Sequence, residues 1–201
     1  MQILNRTTQN IPAQFPLKVM QFGNGNFLRA FVDWMIQILN EETDFNGGVV
    51  VIKPTERGDY RELKSQDGLF TVVLDGIKEG QLIAEKKLVS VVQQVVNPYT
   101  AWKDYLKLAE NDALRFIVSN TTEAGIRFNP DDELSDTPPT EFPAKLTVWL
   151  HHRYLFFGGD PTKGCILLPC ELIENNGKAL KEAILQYADH WNLNPDFKAW
   201  I

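Results

Sequence analysis

Gly23 and Gly25 stand between the apolar run Leu17-Lys18-Val19-Met20-Gln21-Phe22 and the amphipathic stretch that opens Asn26-Phe27-Leu28-Arg29-Ala30. A strand, a glycine turn and a helix in that order form a seat for a dinucleotide phosphate. Gly23 permits the tight turn, Gly25 lets the backbone approach a pyrophosphate, and the free amides at the helix start donate hydrogen bonds under a partial positive charge. The third small residue of the fingerprint is missing, because Leu28 takes its place, so only half of the pattern is literal.

In an open sheet, ligands bind beyond the carboxyl ends of the strands, so the residues after each apolar run are the next candidates. Val49-Val50-Val51-Ile52 leads into Lys53-Pro54-Thr55-Glu56-Arg57. An acid there would take ribose hydroxyls and a base would accept a 2′-phosphate. With Lys53 and Arg57 flanking Glu56, NAD and NADP both stay open, and a solvated charged turn fits the same residues. Leu114 to Val118 leads into Ser119-Asn120-Thr121-Thr122-Glu123-Ala124-Gly125, a polar group suited to ribose, a carboxamide or substrate hydroxyls, and equally to a helix cap or Asx turn. The last run, Ile166 to Leu168, leads into Cys170-Glu171-Leu172-Ile173-Glu174-Asn175-Asn176-Gly177, where Asn175 could bind a polyol and Asn176 could cap a helix. No general base stands among these groups. His151 and His152 lie on a helix, His190 lies in a last helical turn, and no metal-ligand spacing occurs.

The elements that must position these residues alternate. A helix from about Asn26 to Asn40 follows the first strand, with Phe27, Ala30, Phe31, Trp34, Ile38 and Leu39 read as the core face and Arg29, Asp33 and Gln37 as a polar stripe. Strand, turn, helix and second strand make a βαβ unit. Leu69 to Val96 reads as an antiparallel insertion with a turn at Asp75-Gly76. Asn97-Pro98 reads as a helix start, with Trp102, Tyr105, Leu106 and Ala109 on one face. Phe128 to Glu141 has the composition of a solvated loop. Helices follow from Phe142-Pro143 to Gly158-Gly159, and from near Asn176 with Leu180, Ala183, Ile184, Tyr187 and Trp191 inside. The expected fold is α/β, a Rossmann-like mostly parallel sheet with helices on both faces and an antiparallel β insertion. Residues 1–194 form the nucleotide-binding domain in this reading. Asn194-Pro195 to Ile201 reads as the start of a further domain in a piece of a longer polypeptide.

The 201 residues carry a net charge of -6, with 44% hydrophobic and 23% charged residues, as expected of a soluble globular chain. The acidic balance argues against nucleic acid as a partner. No apolar run reaches membrane-spanning length and no signal-peptide core opens the chain. Cys165 and Cys170 fall on opposite faces of a strand and read as reduced thiols of a cytoplasmic protein.

Several separated motifs together resemble the mannitol dehydrogenase family of polyol-specific long-chain dehydrogenases. They are Phe22-Gly23-Asn24-Gly25-Asn26-Phe27-Leu28-Arg29-Ala30, Ser119 to Gly125, Phe142-Pro143-Ala144-Lys145-Leu146-Thr147 and Cys170 to Gly177, and the resemblance covers essentially the whole chain. Phe-Leu-Arg-Ala-Phe in place of Phe-His-Arg-Ala-His, and Cys-Glu-Leu-Ile-Glu-Asn-Asn-Gly, lean toward its uronate branch, the tagaturonate reductases (altronate oxidoreductases). The resemblance implies an NAD-binding domain of an oxidoreductase of hexuronate breakdown, with the catalytic lysine, its supporting asparagine and histidine, and most of the sugar-acid site beyond Ile201. It assigns cofactor contacts to Val19, Met20, Gln21, Phe22, Gly23, Asn24, Gly25, Asn26, Phe27, Leu28, Arg29, Ala30, Lys53, Ser119, Asn120, Thr121 and Glu123, and substrate contacts to Asn175 and Asn176. It implies no catalytic residue and no metal in this chain. A mannitol- or fructuronate-type dehydrogenase domain, a non-catalytic nucleotide module and a methyltransferase using S-adenosylmethionine are the alternatives.

Overall fold

A computed structural model describes residues 4–11, 15–122 and 124–201. After the short helix α1 (Arg6–Gln9), the strands β1 (Leu17–Phe22) and β2 (Gly48–Ile52) flank a helix that passes through a π-helical segment, Leu28–Asp33, into α2 (Trp34–Glu42). α3 (Arg61–Ser65), the strands β3 (Phe70–Lys78), β4 (Gln81–Val89) and β5 (Val92–Val96), and α4 (Trp102–Lys107) follow. The chain closes with β6 (Phe116–Ser119), α5 (Phe142–Phe156), β7 (Ile166–Pro169), α6 (Asn176–His190) and α7 (Pro195–Trp200). Five strands pair in parallel in the order β5-β2-β1-β6-β7, and β3 pairs antiparallel with β4. This is the Rossmann arrangement, with the strand order reversing between β1 and β6.

The central strands β1, β2 and β6 are buried on both faces and divide their side chains between two cores. Met20, Phe22, Val50, Ile52 and Ile117 meet Tyr105, Leu146, Trp149, Ile184 and Phe197 on the side of α4 to α7. Val19, Val49, Val51 and Val118 meet Leu28, Ile36, Leu63, Phe70, Val72 and Val89 on the other. Fully burying one such leucine or valine contributes about 1.5–3 kcal/mol. α7 packs on the first core through Phe197, which is fully buried, and through Trp200 against Tyr154.

The helix after β1 turns a different face inward from the one its periodicity suggests. Leu28, Asp33, Ile36 and Gln37 are buried, whereas Phe27, Phe31, Met35 and Leu39 are exposed. The wide π turn is the cause: it sets Leu28 and Asp33, five residues apart, on one face, and so shifts the 3.6-residue phase. The buried polar stripe has work to do, since Gln37 Oε1 accepts from the Ser90 amide at 2.9 Å and anchors the foot of β4.

Three further expectations are corrected. Asp75 and Gly76 lie inside β3 opposite Ala84 and Ile83, and the turn is at Glu79-Gly80, where both φ angles are positive; Val92–Val96 joins the parallel sheet beside β2. The helix expected at Asn97 starts at Trp102, because Asn97 uses its side chain and carbonyl to cap the preceding turn. The segment 128–141 is pinned through buried Asp132, which accepts from the Thr140 and Glu141 amides and the Tyr187 hydroxyl at 2.6, 3.0 and 3.1 Å. Cys165 and Cys170 are both free. Among the described residues no helix is long and apolar enough to cross a membrane.

Candidate functional site

The five parallel strands end in register. Phe22 pairs with Ile52 and Ser119, Ile52 with Val96, and Ser119 with Pro169. The residues that follow stay tied to the same edge: Gly23 N donates to Ile52 O at 3.0 Å, Lys53 N to Val96 O at 3.0 Å and Cys170 N to Ser119 O at 2.7 Å. Gly23, Lys53, Asn97, Asn120 and Cys170 therefore stand in a row along the strand ends, with Gly23 and Asn120 flanking the point where the strand order reverses.

A cleft of about 370 Å³ opens there, lined by Gly23, Asn24, Pro54, Thr55, Arg57, Tyr60, Asn120 to Thr122 and Thr140 to Phe142. Gly23 has φ 113°, and a Cβ on it would come within 3.0 Å of Leu28 Cδ1. Leu28 is fully buried in the core below, turned toward the sheet. The large residue in the third fingerprint position is thus accommodated where the helix widens. A Cβ on Gly25 would meet nothing within 4 Å, so the chain leaves space at the helix start where a phosphate would lie. Asn24 Oδ1 and Arg29 Nε beside it are buried and unpaired among the described residues. Open space at the second glycine and an unspent guanidinium donor fit a dinucleotide phosphate.

The side chains after β6 are mostly committed to one another. Glu171, nearly fully buried, accepts from the Ser119 hydroxyl at 3.2 Å, the Thr121 amide at 2.9 Å and the Thr121 hydroxyl at 3.0 Å. Asn120 Nδ2 donates to Cys170 O at 2.6 Å. Glu123 lies outside the described residues. The sequence places Glu171 in the candidate segment after β7 but gives it no role of its own; its position two residues past the end of β7 was the available sign, because that strand end abuts the hydroxyls after β6. Asn176 spends its amide on Pro169 O and Glu171 O at 2.8 and 3.2 Å, and Asn175 sits at φ 52° ahead of α6.

Past β2, Lys53 lines a neighbouring 390 Å³ hollow with Asp59, Tyr60, Arg61, Lys64 and Asn97. A second acid, Asp59, stands here beyond the Glu56 of the segment after β2. Arg61 grips Asp59 through its amide, Nε and Nη2 and holds the carboxyl down to about 2. Burial pushes the Tyr60 hydroxyl up to about 12, so it stays protonated. Lys145 has no solvent-exposed surface; its ammonium, pushed down to about 8 by burial, donates to Thr140 O at 2.6 Å and lies over the Tyr99 ring. Among the described residues no His, Cys, Asp and Glu cluster could hold a metal.

The model of the mannitol dehydrogenase Rossmann domain matches residues 17–201. The chain belongs to that family. Similar relatives are the altronate oxidoreductases of Bacillus subtilis, 47% identical over 201 residues, and of Phocaeicola vulgatus, 50% identical over 201 residues; each alignment covers 100% of this chain and 42% of the relative. The chain therefore spans under half the length of these curated relatives. Among solved structures, a substrate-free D-sorbitol dehydrogenase superposes with TM-score 0.74 at 21% identity, over 100% of this chain and 45% of that one. The Pseudomonas fluorescens mannitol 2-dehydrogenase, solved with NAD and D-mannitol, gives 0.74 at 16% identity, over 98% and 44%. These two likenesses establish the fold. For this mannitol dehydrogenase-family domain, the strand-end cleft is the site to which the Rossmann topology directs a ligand.

Proposed function

We propose that this domain seats NAD(H) for an oxidoreductase that interconverts D-tagaturonate and D-altronate in the cytoplasm. The observation that carries the reading is the open space above Gly25 at the head of a helix, on the row of aligned strand ends. Gly23, Gly25, Asn24 and Arg29 would hold the pyrophosphate, with the amides at the helix start as donors. Lys53 and Asp59 would face the adenosine ribose, and Asn120 to Thr122 the second ribose. A nicotinamide cofactor supplies hydride transfer when bound. Identity at 50% of positions to an altronate oxidoreductase over the whole chain supports the sugar-acid substrate. Relatives of which this chain spans 42%, together with a cleft lacking a free general base among the described residues, support a proton-transferring group and sugar-acid seat outside these 201 residues.

The reading makes two separable predictions. The 201-residue chain binds NADH in a fluorescence titration without reducing tagaturonate, and the full-length protein reduces tagaturonate with NADH. A full-length enzyme that turns over only mannitol or fructose would overturn the substrate; tagaturonate reduction by the 201 residues alone would overturn the division of labour.

A further inference from the structure

Beneath the glycine turn lies a buried polar pair that the seat just described does not use. Gln21, fully buried in β1, points its amide toward the end of the π-helical segment; Nε2 donates to Gly23 O at 3.3 Å and to Asp33 Oδ2 at 3.4 Å. Asp33 is also fully buried. The remaining oxygens, Gln21 Oε1 and Asp33 Oδ1, are buried and without a donor among the described residues. An ionised Asp33 would be a buried charge with one long hydrogen bond, beside a second orphan acceptor, an arrangement that costs several kcal/mol. Arg29 is the charged group that acts on it, from one turn earlier on the same helix, yet Arg29 Nη2 donates to Asn26 Oδ1 and the guanidinium lies over the Phe70 ring. No Arg29–Asp33 ion pair forms.

One proton resolves both orphans. A protonated Asp33 Oδ1 is a hydroxyl that can donate to Gln21 Oε1 while Asp33 Oδ2 accepts from Gln21 Nε2, closing an acid–amide pair. We infer that Asp33 is a neutral carboxylic acid whose pairing fixes Gln21 onto the Gly23 carbonyl, making Asp33 a positioning residue for the turn that seats the cofactor phosphates. Burial pushes this carboxyl up to about 8, with the Gln21 amide and Arg29 offsetting part of the rise, so the pair holds at neutral pH. Above about pH 8 the proton leaves, the pair opens, and a negative charge appears under the phosphate seat. This inference rests on the NAD(H) reading for its consequence in binding, but not for the protonation itself.

The test uses the full-length protein, with Asp33→Asn and Asp33→Leu variants. Infrared difference spectra of wild type against Asp33→Asn, without cofactor, show a protonated carboxylic-acid band at pH 7 that is lost above about pH 9. NADH affinity of the wild type falls about tenfold as pH rises through 8. Asp33→Asn, which keeps one donor and one acceptor and cannot titrate, retains the neutral-pH affinity across that range; Asp33→Leu binds about tenfold more weakly at every pH. An ionised Asp33 at pH 7 overturns the inference, as does an Asp33→Asn variant with the wild-type pH profile. If no variant binds NADH at any pH, the cofactor reading fails and the infrared band alone decides the acid–amide pair.

Discussion

The Glu171 carboxylate holds the loop after β6 through three donors, the Ser119 hydroxyl and the Thr121 amide and hydroxyl. Replacement by leucine leaves those donors without an acceptor and is expected to cost about 3 kcal/mol in urea unfolding, because buried unsatisfied groups are penalised by about 1–3 kcal/mol each and part of the loop can reach water. The same change should weaken NADH binding, whereas Glu171→Gln, which keeps one acceptor oxygen, should be milder in both measurements. Asp33 carries the pH dependence. Its folded pKa, about 8, lies above the ordinary carboxylate value, so folding takes up a proton between about pH 4 and 8. Its stabilising contribution is full below about pH 4 and is lost as pH rises toward 8; urea titrations should show this downward slope, and Asp33→Asn should remove it. Gly23 and Gly25 were legible from sequence because a turn and an anion seat demand them locally. Glu171 was not, since its partners are about 50 residues away and only the parallel pairing of β6 with β7 brings them together.

At the scale of elements, β1, β2, β6 and β7 were read to within about two residues, whereas β5 was assigned to the insertion and the faces of the helix after β1 were misread. Apolar periodicity assumes 3.6 residues per turn; the π segment breaks that assumption at Leu28–Asp33, and buried Asp33 and Gln37 then occupy positions that a hydrophobicity count assigns to solvent. The consequence is directly measurable. In the 201-residue chain, Phe31→Ser on the exposed stripe should change stability by no more than about 0.5 kcal/mol, while Ile36→Ser on the buried face should cost about 3 kcal/mol. Equal losses from the two would restore the periodic reading. The β3–β4 hairpin was found but its turn was misplaced: Asp75-Gly76 is a common turn pair, yet the register Lys78↔Gln81 places the turn at Glu79-Gly80.

For the whole molecule, the α/β class, the parallel sheet and the antiparallel insertion were all visible in the alternation of apolar runs and glycine breaks. The segment 128–141 was misjudged because composition marks charge, not burial, and Asp132 is held by amides and a tyrosine hydroxyl that arrive from other parts of the chain. The strand order reverses beside the glycine turn, and in an open parallel sheet a ligand belongs at the strand ends of that reversal. The most direct test of that claim fills the space above Gly25. Gly25→Val adds a side chain where a Cβ meets no atom within 4 Å, so its unfolding midpoint should stay close to the wild type's. Titrated with NADH, the wild-type chain should saturate, and the variant should bind about a hundredfold more weakly. Undiminished NADH binding by a folded Gly25→Val protein would contradict the account.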